Sequence, residues 1–206
     1  MAFLPLLHPA FLLQWNILCA TIRPMNAILE NTLMTPDQIH QAITELAETI
    51  LPSISDPTQW CVVGIRRGGA VIAQQLRDSL SASLQVKLPI GFLDITFYRD
   101  DLSTIGPHPT VGATDLGLLD VEHARVILVD DILYSGRTVR AGLDALFAFG
   151  RPELVKLAVL VDRGHRQLPI QPDFCARQVP TELHDNLKVV THADQRLSLV
   201  HTRALP

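Results

Sequence analysis

The chain has 206 residues, 48% of them hydrophobic and 18% charged, with a formal net charge of −4. This excludes a disordered chain and leaves no overall basic footprint for a polyanion, so any nucleic-acid contact needs a local patch. One α/β domain is expected at this length, and three well-separated cysteines, Cys19, Cys61 and Cys175, fit neither a disulfide framework nor a zinc site and suit a reducing cytoplasm.

Met1 to Ile22 is rich in Leu, Phe and Pro and carries no Lys or Arg before Arg23. A secretory signal needs a positive start and a membrane span needs about 20 uninterrupted apolar residues; Pro5, His8, Pro9, Gln14 and Asn16 break this one. Residues 1–34 are therefore read as a poorly ordered extension, with the essential chain starting near Met25 or Met34 and no membrane association. Thr35-Pro36-Asp37-Gln38 is a capping-box pattern with Pro at the first helical position. The spacing of Ile39, Ala42, Ile43, Leu46, Ala47 and Ile50 predicts an amphipathic helix ending before Pro52. Trp60 to Ile65 reads as a buried strand, Arg66-Arg67-Gly68-Gly69 as its exit turn, and residues 70–80 as a second helix. Pro89 to Phe97 is strand-like and ends in Tyr98-Arg99-Asp100-Asp101. Residues 102–120, with little periodicity, read as a long loop of the lid or binding type.

Val126 to Thr138 is the most informative stretch. Val126, Ile127, Leu128 and Val129 read as a buried parallel strand that ends on paired carboxylates, Asp130 and Asp131. Ile132, Leu133, Tyr134, Ser135, Gly136, Arg137 and Thr138 lead into a helix that stops at Gly150-Arg151-Pro152. A helix amino end after a Gly/Ser turn favours a phosphate. Paired acids there can hold sugar hydroxyls or Mg²⁺, although similar pairs also occur in phospho-acceptor and metal-binding α/β proteins. Leu154 to Val161 forms another buried strand, closed by Asp162-Arg163-Gly164-His165-Arg166, and the Pro-containing tail from Gln167 could make a small cap. Alternating strands and helices argue for a mainly parallel sheet with right-handed crossovers. Three polar strand exits, 66–69, 130–138 and 162–166, should then converge beyond the carboxyl ends of the strands. The domain is taken as residues 35–192, with 193–206 as a tail.

The 126–138 stretch resembles the phosphoribosyl-pyrophosphate (PRPP) motif of type I phosphoribosyltransferases. Three further segments narrow the likeness: Leu93 to Ser103, Ala141 to Leu146 with Gly150-Arg151-Pro152, and Leu157 to Ile170. Together they resemble the PyrR family, pyrimidine operon regulators that are also uracil phosphoribosyltransferases. The similarity runs from about Thr35 to about Val190. The resemblance implies the type I α/β fold with a C-terminal hood, and transfer of a phosphoribosyl group from PRPP to uracil, giving UMP and pyrophosphate in pyrimidine salvage. It implies a homodimer or higher homo-oligomer, UMP or UTP as ligands, and Mg²⁺ carried mainly through PRPP without a dedicated ligand set. By the same likeness Asp130 and Asp131 hold the ribose hydroxyls and residues 134–138 grip the 5′-phosphate. Arg66, Arg67, Gly68 and Gly69 form the pyrophosphate loop, Arg99, Asp100 and Asp101 begin the flexible loop, and Asp162, Arg163 and His165 shape the base pocket. Phe97 and Tyr98 are expected to pack inside, Arg137 to face the site, and Arg140 to point to solvent or a subunit interface.

Two departures stand out. Where the family has Arg before the last Gly of its pyrophosphate loop, this chain has Gly68, with its arginines one and two places earlier. The first helix, which in regulatory members helps bind a leader-transcript hairpin, has no Lys or Arg here and carries Asp37, Glu45 and Glu48. Phosphate contacts supply most RNA affinity and need cations. RNA binding is therefore expected to be weak or absent, with Arg163, Arg166 and Arg177 as the remaining candidates.

Overall fold

The structure is a computed structural model that describes residues 28–100, 114–117 and 119–204. Its centre is a five-stranded sheet in the order β3-β2-β4-β5-β6, parallel throughout. The strands are β2 (Trp60–Ile65), β3 (Ile90–Leu93), β4 (Arg125–Leu133), β5 (Leu154–Asp162) and β6 (Phe174–Gln178). Helix α1 (Pro36–Ile50) begins with the expected capping box: Gln38 N–H donates to Thr35 Oγ1 and Thr35 N–H to Gln38 Oε1. Its six apolar positions, Ile39 to Ile50, are all buried. Helix α2 (Gly68–Leu84) packs beside it, and α3 (Arg137–Phe147) covers the other face.

Both faces of the sheet are covered, so the central strands need apolar residues at every position. Alternation sorts them into two layers. Trp60, Val62, Ile127 and Val129 join α1 and α2, while Cys61, Val63, Ile65, Val126 and Leu128 join α3. Burial pushes the Cys61 thiol up to about 12. No helix among the described residues is long and apolar enough to cross a membrane.

Several expected boundaries move. Residues 1–27 lie outside the described residues, but the domain does not begin at Thr35: Ile28–Met34 is a strand, β1, which pairs antiparallel with β8 (Leu197–Ala204). With β7 (Asn186–Thr191) these form a three-stranded antiparallel sheet in the order β1-β8-β7. That sheet is the hood, and it absorbs the supposed tail from 193 onward. Leu187, Val189, Leu197 and Leu199 sink into the α1/α2 layer, which docks β7 and β8 on the domain. The predicted strand 126–129 runs on through both acids, because Asp130, Ile132 and Leu133 pair with Val159, Val161 and Asp162. The strand predicted to reach Phe97 stops at Leu93, where Thr96 N–H donates to the Asp94 carboxylate and starts a turn. Phe97 is consequently exposed (66%), while Tyr98 packs inward as expected. Most of the predicted 102–120 loop lies outside the described residues. Its return leg docks on the sheet edge through Phe92 and Asp115, which exchange two backbone hydrogen bonds of 2.7 and 2.8 Å.

β8 is the central strand of the hood, and β1 is its partner on one side. A chain beginning at Met34 should therefore melt lower than one beginning at Met25, by roughly 5 °C or more, corresponding to about 2 kcal/mol. Equal thermal midpoints for the two would show that β1 contributes nothing.

Candidate active site

The exit of β2 and the end of β4 press against one another. A Cβ added to Gly69 would lie 2.6 Å from the Val129 carbonyl oxygen and 3.1 Å from Asp130 Cα. A Cβ on Gly68 would lie 1.9 Å from Asp131 Oδ2. The turn can reach the acid pair only because both positions lack side chains. Of the two arginines before them, Arg67 is exposed. The Arg66 guanidinium sits over the Phe92 ring, 5.5 Å from its centroid, and borders a cleft of about 380 Å³ with Val71, Gln74, Gln75 and Gln195. The glycine half of the turn meets the acids directly, whereas Arg66 is engaged at the sheet edge.

The layer alternation slips by one residue across the acid pair: Val129 and Ile132 belong to one layer, Leu128 and Leu133 to the other. Asp131 N–H donates to Asp130 Oδ1 (3.0 Å) and Ile132 N–H to Asp131 Oδ1 (2.8 Å). Asp130 is 3% exposed, and its buried Oδ2 has no hydrogen-bond partner among the described residues. Burial, then the neighbouring Asp131, raises the Asp130 carboxyl well above the usual carboxylate range. Asp131 is raised as well, chiefly by burial.

Three residues beyond β4, Gly136 (φ 91°) takes the left-handed conformation that turns the chain into α3. α3 opens without a side-chain cap; the nearest contact is a long one, from Arg137 N–H to Ser135 Oγ at 3.4 Å. Its first backbone N–H groups are thus available to an anion. The third segment, 162–170, packs against this turn. Gln167 and Leu168 N–H both donate to the Ser135 carbonyl (3.0 and 3.1 Å), and Leu168 and Ile170 lie over Gly136.

The residues expected to line a base pocket hold this segment together through their own hydrogen bonds. Asp162 accepts from Gly164 N–H (2.9 Å) and from Arg166 Nη2 (2.5 Å). Arg163, 6% exposed, stacks on Tyr134 with its Cζ 4.3 Å from the ring centroid. It donates to Thr181 Oγ1 and to the Glu182 and Asp185 carbonyls. His165 Nε2 lies 2.6 Å from the Thr181 carbonyl oxygen, and the ring meets Tyr134 edge-on at 6.0 Å. Beyond them Asp185 is bridged by Arg203 of β8 (2.5 and 2.8 Å), whose guanidinium holds its carboxyl well below the usual range.

Arg137, expected to face the site, joins two loops: its Nε donates to Gln167 Oε1 (2.9 Å) and its Nη1 pairs with Asp100. Asp101 lies outside the described residues. Arg140 is not simply a solvent or interface residue, since it donates to the Tyr98 carbonyl (3.0 Å) and ties α3 to the base of the long loop. From the sequence Arg166 stood out only as a candidate RNA contact within the 162–166 exit, and Gln167 not at all. Their signal was only the polar run after β5, which marks a loop but not its bonding.

The family model for the phosphoribosyl transferase domain matches residues 35–194. Bifunctional protein PyrR of Roseiflexus sp. (strain RS-1) is 46% identical over 163 residues, 79% of this chain and 88% of that protein. The protein of the same name from Deinococcus radiodurans is 45% identical over 158 residues, 77% and 86% of the two chains. The chain belongs to the PyrR family. Among solved structures, the hypoxanthine phosphoribosyltransferase of Trypanosoma cruzi superposes with a TM-score of 0.61 at 20% identity, covering 84% of this chain and 97% of that one. A hypoxanthine-guanine phosphoribosyltransferase from Bacillus anthracis gives 0.58 at 23% identity, covering 73% and 84%. These distant likenesses establish the type I phosphoribosyltransferase fold.

For a PyrR-family chain, the glycine at position 68 has a steric consequence. Any side chain there would collide with Asp131 as it stands, so an arginine at this position requires the carboxylate to move first. The raised Asp130 carboxyl also fixes a pH dependence. A folded state that holds its proton more tightly than the unfolded chain loses stability as pH rises from the ordinary carboxylate range through the folded value. Asp130→Asn should therefore raise the melting temperature at pH 7, with the gain shrinking as pH falls toward about 4. A gain independent of pH, or a loss at pH 7, would contradict the buried-acid description.

Proposed function

We propose that this chain transfers the 5-phosphoribosyl group of PRPP to N1 of uracil. The bond from C1 to the pyrophosphate oxygen breaks, the bond from C1 to N1 forms, and the N1 proton is lost to solvent. One observation carries this reading: a carboxylate pair, Asp130 buried with one oxygen unpartnered among the described residues and Asp131 half-buried, lies between a glycine turn and an uncapped helix start. Asp130 and Asp131 would accept the ribose hydroxyls and favour the positive charge that develops on the ring as pyrophosphate leaves. Backbone N–H groups of 135–138 would take the 5′-phosphate, with the Ser135 and Thr138 hydroxyls beside them. The Gly68–Gly69 turn, with Arg67 exposed next to it, would meet the pyrophosphate. The long loop that begins at Arg99 and Asp100 would cover the site and keep water from the activated ribose.

Among the described residues no cluster of three or more His, Cys, Asp or Glu could hold a metal alone. The acid pair and its unpartnered oxygen fit an Mg²⁺ ion that arrives on PRPP, where it would offset the pyrophosphate charge. The specificity for uracil rests on the PyrR likeness at 45–46% identity. A homo-oligomer is part of the same reading.

The alternative role is an RNA-binding regulator of pyrimidine operon attenuation that senses UMP or UTP in this pocket. The family membership favours it, but the charges do not. α1 has no Lys or Arg, and Arg177 beside it is paired with Glu45 at 2.7 Å. Arg163 and Arg166 spend their donors on internal acceptors. We infer weak RNA affinity.

Pure protein given uracil, PRPP and Mg²⁺ should form UMP, followed by absorbance; no product even at high enzyme concentration would refute the enzyme reading. The double substitution Asp130→Asn with Asp131→Asn should lower transfer by about 10²-fold or more while the domain stays folded. In a gel shift at low salt, a pyrimidine-operon leader hairpin should bind weakly. Tight, UMP-enhanced binding would restore the regulator role.

A further inference from the structure

Arg166 makes a set of contacts that no substrate role requires. Its Nε donates to the Ile170 carbonyl at 2.9 Å. Its Nη1 lies 2.9 Å from the Tyr134 carbonyl, 3.3 Å from that of Gly164 and 3.5 Å from that of Leu133. Its Nη2 donates to Asp162 Oδ2 at 2.5 Å, and both of these side chains are only 14% exposed. A guanidinium has five donors in one rigid plane. Here that plane spans two loops: residues 133–134 lead into the proposed phosphate grip, and residues 162, 164 and 170 belong to the base side. Gln167 and Leu168 add two backbone bonds to Ser135 across the same seam.

We propose that Arg166 is a positioning residue that locks the 5′-phosphate loop and the base-side loop into one unit, so that filling either subsite pre-forms the other. The inference rests on the phosphoribosyl-transfer reading above. Lysine at 166 would keep the charge but not the planar fork, so it could hold one loop or the other but would not bridge them. Asp162 orients the guanidinium from the base side, and Asp162→Asn would weaken the clamp without removing its carbonyl bonds.

The test compares wild type, Arg166→Ala and Arg166→Lys as intact chains. In initial-rate assays Arg166→Ala should raise KM for PRPP and for uracil together by roughly tenfold, with kcat changed less than about threefold. Titration should show UMP, which spans both subsites, losing about tenfold in affinity, while ribose 5-phosphate loses less than about threefold. Arg166→Lys should leave most of the UMP defect in place. If Arg166→Ala does not fold, Asp162→Asn should show the same paired KM rise at smaller size. A lowered melting temperature with both KM values unchanged would overturn the proposal, as would a KM rise for one substrate alone. Failure of the wild type to make UMP would instead overturn the uracil reading. The clamp is then judged by hydrogen exchange: Arg166→Ala should speed exchange in 133–138 and 164–170 together, and a change in only one segment would refute it.

Discussion

A carboxylate removed from water needs a partner, and Asp130 has one oxygen without any among the described residues. Much of the site is arranged around that state. β4 carries the acid beyond its apolar run by continuing its ladder with β5. The turn after β2 closes against the pair because Gly68 and Gly69 have no side chains to obstruct it. In the proposed reading the burial cost is offset when ribose hydroxyls donate to the pair. Catalysis then becomes largely a matter of positioning and fixed charge.

Around this centre, arginines do structural work that their number in the sequence does not reveal. Arg163 links Tyr134 of the turn after β4 to the 181–185 segment, and Arg203 links Asp185 to the central strand of the hood. Arg137 joins Asp100 to Gln167, and Arg140 holds Tyr98. The base of the long loop, the turn after β4, the 162–170 segment and the hood are thereby connected through arginine side chains.

The layered core was legible in the sequence, because strands buried on both faces read as unbroken apolar runs and α1 carried both its periodicity and its cap. The convergence of the strand exits 66–69 and 130–138 also followed from parallel topology alone. The hood did not. Ile28 to Met34 and Leu197 to Ala204 are partners far apart in sequence, and neither has a strong local signature. The length of β4 was missed because carboxylates rarely continue a buried strand, and this pair does so by backbone pairing while the side-chain alternation slips. Asp162, Arg163 and His165 stand at the exit of β5, but their type and spacing said nothing of their partners. Whether an arginine faces a ligand or a carbonyl depends on loop geometry, which composition does not encode.

In the proposed function the acid pair, Asp130 buried and Asp131 half-buried, receives the ribose of PRPP. Hydroxyl donors at Asp130 would favour its charged form, so binding should release protons. The direct measurement is calorimetric titration of Mg²⁺–PRPP into wild type and Asp130→Asn, in buffers of differing ionisation enthalpy, at pH values from about 5 to 7. The wild type should show net proton release, beyond that of the ligand itself, which is absent in Asp130→Asn together with much of the affinity. Equal proton release and equal affinity in the two proteins would contradict it.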